Sequence, residues 1–531
     1  MIPKTLKTVA AGMIALLVMG SARADPTVIH AVMNGDLRSL DPLWTIAPQT
    51  RIHAYMVYDT LLATDANAVP RPQMVDSWTE SPDKLTYAFQ LRAGLVFSDG
   101  APVTSADVVA SFRRWMLVDS GGQYISEVLT AIDATGPLTF VIRLREPFPQ
   151  LIAALAKPSA VPMFVMPARI VDGLPVNKQL TDPVGSGPFV MKRDEWVAGS
   201  KVVYLRNPLY RPRNEPSSAF AGGKTVHVAR VEWLNLTDPV TQAAALKTGE
   251  VDFIQFAPPD LTPDLKQTKG IVVRPTWPVG IQGQMRINWT NPPFDKAGIR
   301  RGIQNFVHQP DMIMAVMGDP AGGQVCGAMQ MCGSDMGSEV GAELILSNDP
   351  EPVRLKRGID TMRAAGYQDE PIVVLDATDQ VMQHHATLVL VAAMRKAGVN
   401  VDLQTVDWGT ITARRTIRGP GPNGWHIFLT TGGQVAGANP AFSIQAPARC
   451  EKSFPGWPCD AEYERIRAGW LKEPDLLKRK AIAMEIQRKA MEITLAIPYG
   501  QYLLPAAWRD TLEGVVDVPE HVVFWGMRKR E

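Results

Sequence analysis

At 531 residues, with 46% apolar and 20% charged side chains, the chain is too long for one ordinary domain and apolar enough for substantial cores. Its 54 Lys plus Arg nearly cancel 53 Asp plus Glu, which excludes the clustered cationic excess that a nucleic-acid or polybasic membrane surface needs. Gly and Pro number 42 and 43 without a collagen-like period, so short elements joined by many turns are expected, not a fibre, a disordered chain or a membrane bundle.

The first residues follow the secretory pattern: basic Lys4 and Lys7, an apolar run from Val9 to Met19, then Ala22-Arg23-Ala24 with small residues at the cleavage positions. The run is shorter than the ~20 residues of a spanning helix. Cleavage after Ala24 is expected, leaving an exported chain that starts at Asp25, most simply in a bacterial periplasm. The first cysteine is Cys326, so no thiol follows the run to carry a lipid anchor. Cys326 with Cys332, and Cys450 with Cys459, suit two local disulfides in that compartment. A zinc site is the rival reading, but neither pair has knuckle spacing and no His stands near Cys326 or Cys332.

In chain order, Thr27 to Val32 reads as a strand and Arg51 to Leu62 as a helix. Leu85, Tyr87, Phe89 and Leu91 alternate with Thr86, Ala88 and Gln90, the mark of a half-buried strand. Thr104 with Asp107 resembles a capping box that starts a helix bearing Val108, Phe112 and Trp115 on one face. Leu138 to Leu144 alternates again. Residues 183–190 turn tightly into a strand; Val202 to Leu205 and Val226 to Leu234 continue a sheet, and Thr241 to Lys247 is a short helix ended at Gly249. From about Gly270 the pattern changes. Helices are expected at Ile299 to Val307, Val353 to Ala365, Val381 to Ala397 and Trp408 to Ile417, with strands at Ile372 to Leu375, Val399 to Leu403 and Trp425 to Leu429. That β-α-β-α-β run implies parallel strands with helices on their faces. Two helices, about Ala461–Leu471 and Pro474–Thr494, precede an extended return at Ile497 to Leu504.

Catalytic signatures are missing from the sequence. Gly222-Gly223-Lys224-Thr225 resembles the end of a phosphate loop, but Ser218 stands where that motif needs glycine. Neither G-x-S-x-G nor H-E-x-x-H occurs. His384 and His385 are adjacent on a predicted helix and point apart, and His308 and His426 are isolated. Asp369-Glu370 suits a solvated turn. No catalytic residue, metal or cofactor is expected, and a secreted hydrolase on a two-lobed fold is the alternative reading. Trp44, Trp277, Trp289, Trp408 and Trp425 fall at predicted strand ends or loops, where Trp serves either packing or a binding surface.

Several fragments then occur in a telling order. Leu40-Asp41-Pro42 precedes Val57-Tyr58-Asp59-Thr60-Leu61-Leu62. Tyr87 to Gly94 and Phe97-Ser98-Asp99-Gly100-Ala101-Pro102-Val103-Thr104 follow, then Gly185-Ser186-Gly187-Pro188-Phe189, Arg206-Asn207-Pro208-Leu209-Tyr210 and Lys247-Thr248-Gly249-Glu250. Together they resemble the bacterial extracellular solute-binding proteins of family 5, the peptide-, opine- and nickel-binding components of ABC importers. The resemblance implies an α/β, two-lobed periplasmic-binding-protein clamshell with an extra subdomain inserted in the first lobe. It divides the chain into a signal peptide (1–24), a first segment of lobe I (25–70), the inserted subdomain (71–182), a second segment of lobe I (183–275), lobe II (276–500) and a C-terminal return to lobe I (501–531). It also implies a monomer that binds a small-molecule or peptide-like ligand, docks on permease subunits in the inner membrane and catalyses nothing.

In peptide-binding relatives an Asp four positions before an Asn/Asp-Pro proline pairs with the peptide ammonium. Here that proline is Pro440 and the position holds Ala436, within a loop, Gly432 to Gly437, that has no carboxylate. A ligand without a free α-amine is therefore expected, because a desolvated ammonium without a counter-charge is costly. Blocked peptides, opine-like acids, sugars and metal chelates stay open. The expected ligand-binding residues are Ile46, Ala47, Pro48, Trp277, Gly432, Gly433, Gln434, Val435 and Ala436, with Gln434 and the glycine backbone supplying hydrogen bonds.

Overall fold

The computed structural model describes residues 27–277, 279–432, 439–440, 442–443 and 445–530. The signal segment with Ala24, and Gly433, Gln434, Val435 and Ala436, lie outside the described residues. Two sheets organise the rest. In the first, Val28–Val32 runs parallel to Arg230–Leu234 on one side and to Phe253–Ile254 on the other. Lys201–Arg206 and Phe189–Met191 extend one edge; Pro505–Arg509 and Ile271–Pro275 extend the other.

The second sheet has the order Gly323–Gln324, Ile497–Tyr502, Ile281–Ile287, Ile427–Gly432, Ile372–Ala377, Val401–Val406. Its last three strands are parallel, as the β-α-β-α-β pattern requires, while Ile281–Ile287 is antiparallel to both neighbours. Helices Glu351–Ala364 and Val381–Lys396 connect here, and Gly366 and Gly398 follow them at φ 91° and 86°, a region that glycine enters without a Cβ clash. The chain passes between the sheets twice, from Pro275 to Ile281 and from Tyr502 to Pro505. Two lobes joined by two short crossings result. A four-stranded antiparallel sheet of Val75–Glu80, Thr86–Leu91, Thr139–Leu144 and Leu129–Gly136, backed by Ser105–Met116, forms the subdomain inserted into the first lobe.

The fragments that carried the resemblance hold the architecture. Asp41 is fully buried and accepts both terminal nitrogens of Arg114, at 3.1 and 2.6 Å. Asp107 accepts from the Thr104 backbone N–H at 2.7 Å, which starts the helix as the capping-box reading expects. A Cβ on Gly185 would lie 2.1 Å from the Val57 carbonyl oxygen, so only glycine fits there. Lys224, from the phosphate-loop-like stretch, is fully buried with Nζ 2.7 Å from Asp59 Oδ1 and rests over the Trp525 ring. That lysine is committed to a carboxylate. The predicted helix from Arg51 to Leu62 differs: the helix is Pro48–Val57, and Asp59–Thr60 and Leu62–Thr64 are strands. Proline at the first helical position moves the start forward, and the burial of Asp59 against Lys224 and the Tyr210 hydroxyl draws the chain out of helix after Val57.

Both expected local disulfides are formed, Cys326–Cys332 and Cys450–Cys459. Among the described residues the one metal-sized cluster is Cys326, Cys332 and Glu339, whose two sulfurs are joined to each other. No described helix is long and apolar enough to cross a membrane.

Acid should destabilise the first lobe. His53 is fully buried, 2.8 Å from the Tyr204 hydroxyl, and burial pulls its imidazole down to about 3. Burial, helped by Arg51, also holds His521 well below the ordinary range. Both folded values lie below the ~6.5 of an unfolded histidine, so the unfolded chain takes up these protons first. Their contribution to stability is complete above pH ~6.5 and is lost as pH falls through the window toward 3. Urea midpoints should drop between pH 7.5 and pH 5; midpoints that stay level contradict this.

Candidate functional site

The strand Ile281–Ile287 has two unlike faces. Met285 and Ile287 join the main core under the helices, while Gln282, Gln284 and Arg286 occupy the opposite face, all nearly inaccessible to solvent. Strand pairing adds to that face, since Gln282 stands opposite Gly432 and Gln501, Gln284 opposite Thr430, and Arg286 opposite Phe428. Gln282 Nε2 donates to the Ala328 carbonyl, and Gln284 Nε2 donates to Gln282 Oε1 at 3.0 Å. Gln501 Nε2 donates to Val279 O at 2.6 Å and holds the first crossing to the sheet. Gln284 Oε1 is buried with no partner.

Arg286 is the most unusual member. Its Nη1 donates to the Gln445 carbonyl at 3.2 Å, and its guanidinium sits 5.2 Å from the centre of the Phe454 ring. Arg415 approaches the same ring at 5.1 Å. Burial lowers Arg286 to about 10; the Arg415 charge adds to that shift and Tyr463 opposes it. Burial likewise lowers Arg415. Tyr463 is fully buried with no partner for its hydroxyl, and lies within electrostatic reach of Arg286 and of Tyr124 from the first lobe.

The lobes meet beside this row. Helix Ser120–Val128 of the inserted subdomain is started by Asp119, whose Oδ1 accepts from Gly122 N at 2.9 Å while Oδ2 accepts from Lys157 Nζ at 2.5 Å. Ser120 Oγ donates to the Phe442 carbonyl of the second lobe at 3.1 Å. Tyr124 places its ring between two second-lobe guanidinium groups, 4.4 Å from Arg449 and 5.4 Å from Arg467, and accepts a hydrogen bond from Arg467 Nη2. Glu464 holds both arginines, at 3.1 Å for Arg449 Nε and 2.9 Å for Arg467 Nη2. The apolar core runs continuously across this contact, so the two lobes are packed against each other here.

The residues expected from sequence occupy three places. Ile46, Ala47 and Pro48 lead into the first-lobe helix Pro48–Val57, and Ile46 is exposed. Trp277 stands in the first crossing with its indole N–H buried and unpartnered. Gly432 ends the strand opposite Gln282, next to Gln284 and Gln445. Trp277 and Gly432 therefore belong to the crossing end of one sheet, whereas among the described residues no hydrogen bond joins Ile46–Pro48 to them. Gln282, Gln284, Arg286, Arg415 and Tyr463 were missed. The signal was present: in Gln282-Gly283-Gln284-Met285-Arg286 the polar side chains recur at every second position, on a strand deep in a lobe.

Comparison with known proteins agrees with this architecture. The profile described as "Bacterial extracellular solute-binding proteins, family 5 Middle" matches residues 69–420. A Sinorhizobium fredii protein described as a probable peptide ABC transporter periplasmic-binding protein is 38% identical over 515 residues, covering 95% of this chain and 94% of that one. The glutathione-binding protein of Shigella dysenteriae is 25% identical over 311 residues, covering 57% and 56%. Among solved structures, an Agrobacterium tumefaciens binding protein in complex with agropinic acid superposes with a TM-score of 0.78 at 19% identity, covering 95% of this chain and 99% of that one. The oligopeptide-binding protein of Haemophilus influenzae in complex with a peptide gives 0.78 at 19%, covering 96% and 99%.

Proposed function

The chain belongs to the bacterial extracellular solute-binding proteins of family 5, and on that premise we propose that it is the solute-capturing component of an ABC importer. It closes two lobes on a peptide-like or other small solute and delivers it, chemically unchanged, to permease subunits in the inner membrane. The observation that carries this reading is the polar, incompletely partnered row of Gln282, Gln284 and Arg286 beside the contact where Tyr124 enters the second lobe. A solute touching both lobes favours closure by the contacts that exist only in the closed form.

Ile46, Ala47, Pro48, Trp277 and Gly432 to Ala436 line the cleft in this proposal, and ordinary free-amine peptides are poor ligands. The chain acts as a monomer in the periplasm after cleavage behind Ala24. The functional units are residues 25–70, 183–275 and 501–531 for lobe I, 71–182 for the inserted subdomain and 276–500 for lobe II. Native mass spectrometry of protein taken from the periplasm without denaturation tests the reading. A retained solute, recovered with the same mass after long incubation, is the expected result; a chain that retains no solute, or that releases an altered one, overturns it.

A further inference from the structure

Arg286 carries a buried charge that the described chain leaves uncompensated. Its fractional exposure is 1%, and among the described residues no carboxylate forms an ion pair with it or with Arg415. Its Nη1 is anchored to the Gln445 carbonyl, while Nε and Nη2 are buried with no acceptor. Those two nitrogens share one edge of the planar guanidinium, and their N–H bonds run side by side. That edge is the fork which grips a carboxylate through two parallel hydrogen bonds. Gln284 Oε1, two residues along the same strand face, is also unpartnered, and Tyr463, whose buried hydroxyl has no partner, lies within electrostatic reach of Arg286. The loop that would have to supply an acid, Gly432 to Gly437, contains none.

We propose that Arg286, oriented by Gln445 and reinforced by Arg415 across the Phe454 ring, is the ligand's carboxylate receptor, so that the solute is an organic acid or an acid-terminated, amine-blocked peptide. This rests on the receptor reading above and narrows it to an anionic class. A guanidinium sealed inside the second lobe without a counter-charge is costly, and an incoming carboxylate removes that penalty.

The test uses the mature protein and its Arg286→Met and Arg286→Lys variants. Each is equilibrated with a library of N-acetylated tripeptides as free acids, with the same library as C-terminal amides, and with inorganic phosphate, then desalted and weighed by native mass spectrometry. The wild type should retain free acids at least tenfold over amides. Arg286→Lys keeps the charge without the fork and should lose about tenfold; Arg286→Met should retain neither library. Without ligand, Arg286→Met should melt no lower than wild type, because an uncompensated charge has been removed. Equal retention of amides, retention of acids by Arg286→Met, retention of no free acid at all, or stabilisation by phosphate alone each overturns the assignment. A periplasmic preparation that carries a neutral or cationic solute overturns it while leaving the receptor reading intact.

Discussion

Replacing Asp41 by alanine should destabilise the protein by about 3–5 kcal/mol, the usual loss when one partner of a buried ion pair is removed. The carboxylate has no exposure and every acceptor position is used. Arg114 donates through Nη1 to Oδ1 and through Nη2 to Oδ2, the Leu43 backbone N–H reaches Oδ1 at 3.0 Å, and the Leu180 N–H reaches Oδ2 at 2.8 Å. One side chain thus ties the N-terminal segment to the helix Ser105–Met116 and to the strap that leads back to the first-lobe sheet. Arg114 is itself buried, so truncation leaves a desolvated guanidinium whose remaining hydrogen-bond acceptor among the described residues is the Lys178 carbonyl. Asp41→Asn should cost nearly as much, because it keeps the shape and loses the charge. The double variant Asp41→Leu with Arg114→Met should recover much of the loss, since replacing a buried pair by apolar groups of similar size is often close to neutral. Thermal and urea midpoints of wild type, the two single variants and the double variant measure these losses. A loss below about 1 kcal/mol for Asp41→Ala would contradict this account.

Asp41 also illustrates what a sequence gives up readily. Leu40-Asp41-Pro42 stood out as a motif, but its partner lies 73 residues away on Arg114, and no local pattern links the two. Elements whose cause is local were legible. The helix-and-strand run from Val353 to Leu429, punctuated by Gly366 and Gly398, foretold three parallel strands and their helices because period and cap sit in the same few residues. Where the cause is distant, local spacing misleads. Tyr58 to Leu62 has helical spacing, yet Lys224 and Tyr210 draw Asp59 into a strand. The candidate site divides along the same line. The glycine-rich stretch at Gly432 and the crossing at Trp277 were reached through family likeness. The buried row of Gln282, Gln284 and Arg286 alternated in plain view but needed the paired strands before its polar face had a meaning. Nothing near Tyr124 in sequence announces a docking residue; the helix that carries it is placed by Asp119 and Lys157.

Removing only the hydroxyl of Tyr124 should weaken solute binding by about tenfold while leaving the ligand-free protein nearly as stable as before. The phenol oxygen accepts from Arg467, which is fully buried, and hydrogen bonds to charged groups are worth about 1.5–3 kcal/mol before compensation. In Tyr124→Phe that contact is lost from the closed form alone. The second-lobe cluster survives, because Arg467 keeps Glu464 through Nε at 3.1 Å and the Pro440 carbonyl through Nη1 at 3.3 Å. Opening the lobes separates Tyr124 from this cluster in both proteins, so the open state is indifferent to the change. A tenfold fall in affinity is about 1.4 kcal/mol taken from closure. Arg467→Met should behave differently. It deprives Glu464, which also holds the Ala448 N–H at 2.6 Å and Arg449, of its main cation, and so should lower the melting point of the empty protein as well as its affinity. Small-angle scattering separates the two effects. With the co-purifying solute at saturation both variants should contract as the wild type does, but Tyr124→Phe should need about ten times more solute to reach half contraction. If Tyr124→Phe binds as tightly as wild type, or if its empty form melts markedly lower, the phenol serves the packing of its own subdomain and not the closing of the two lobes.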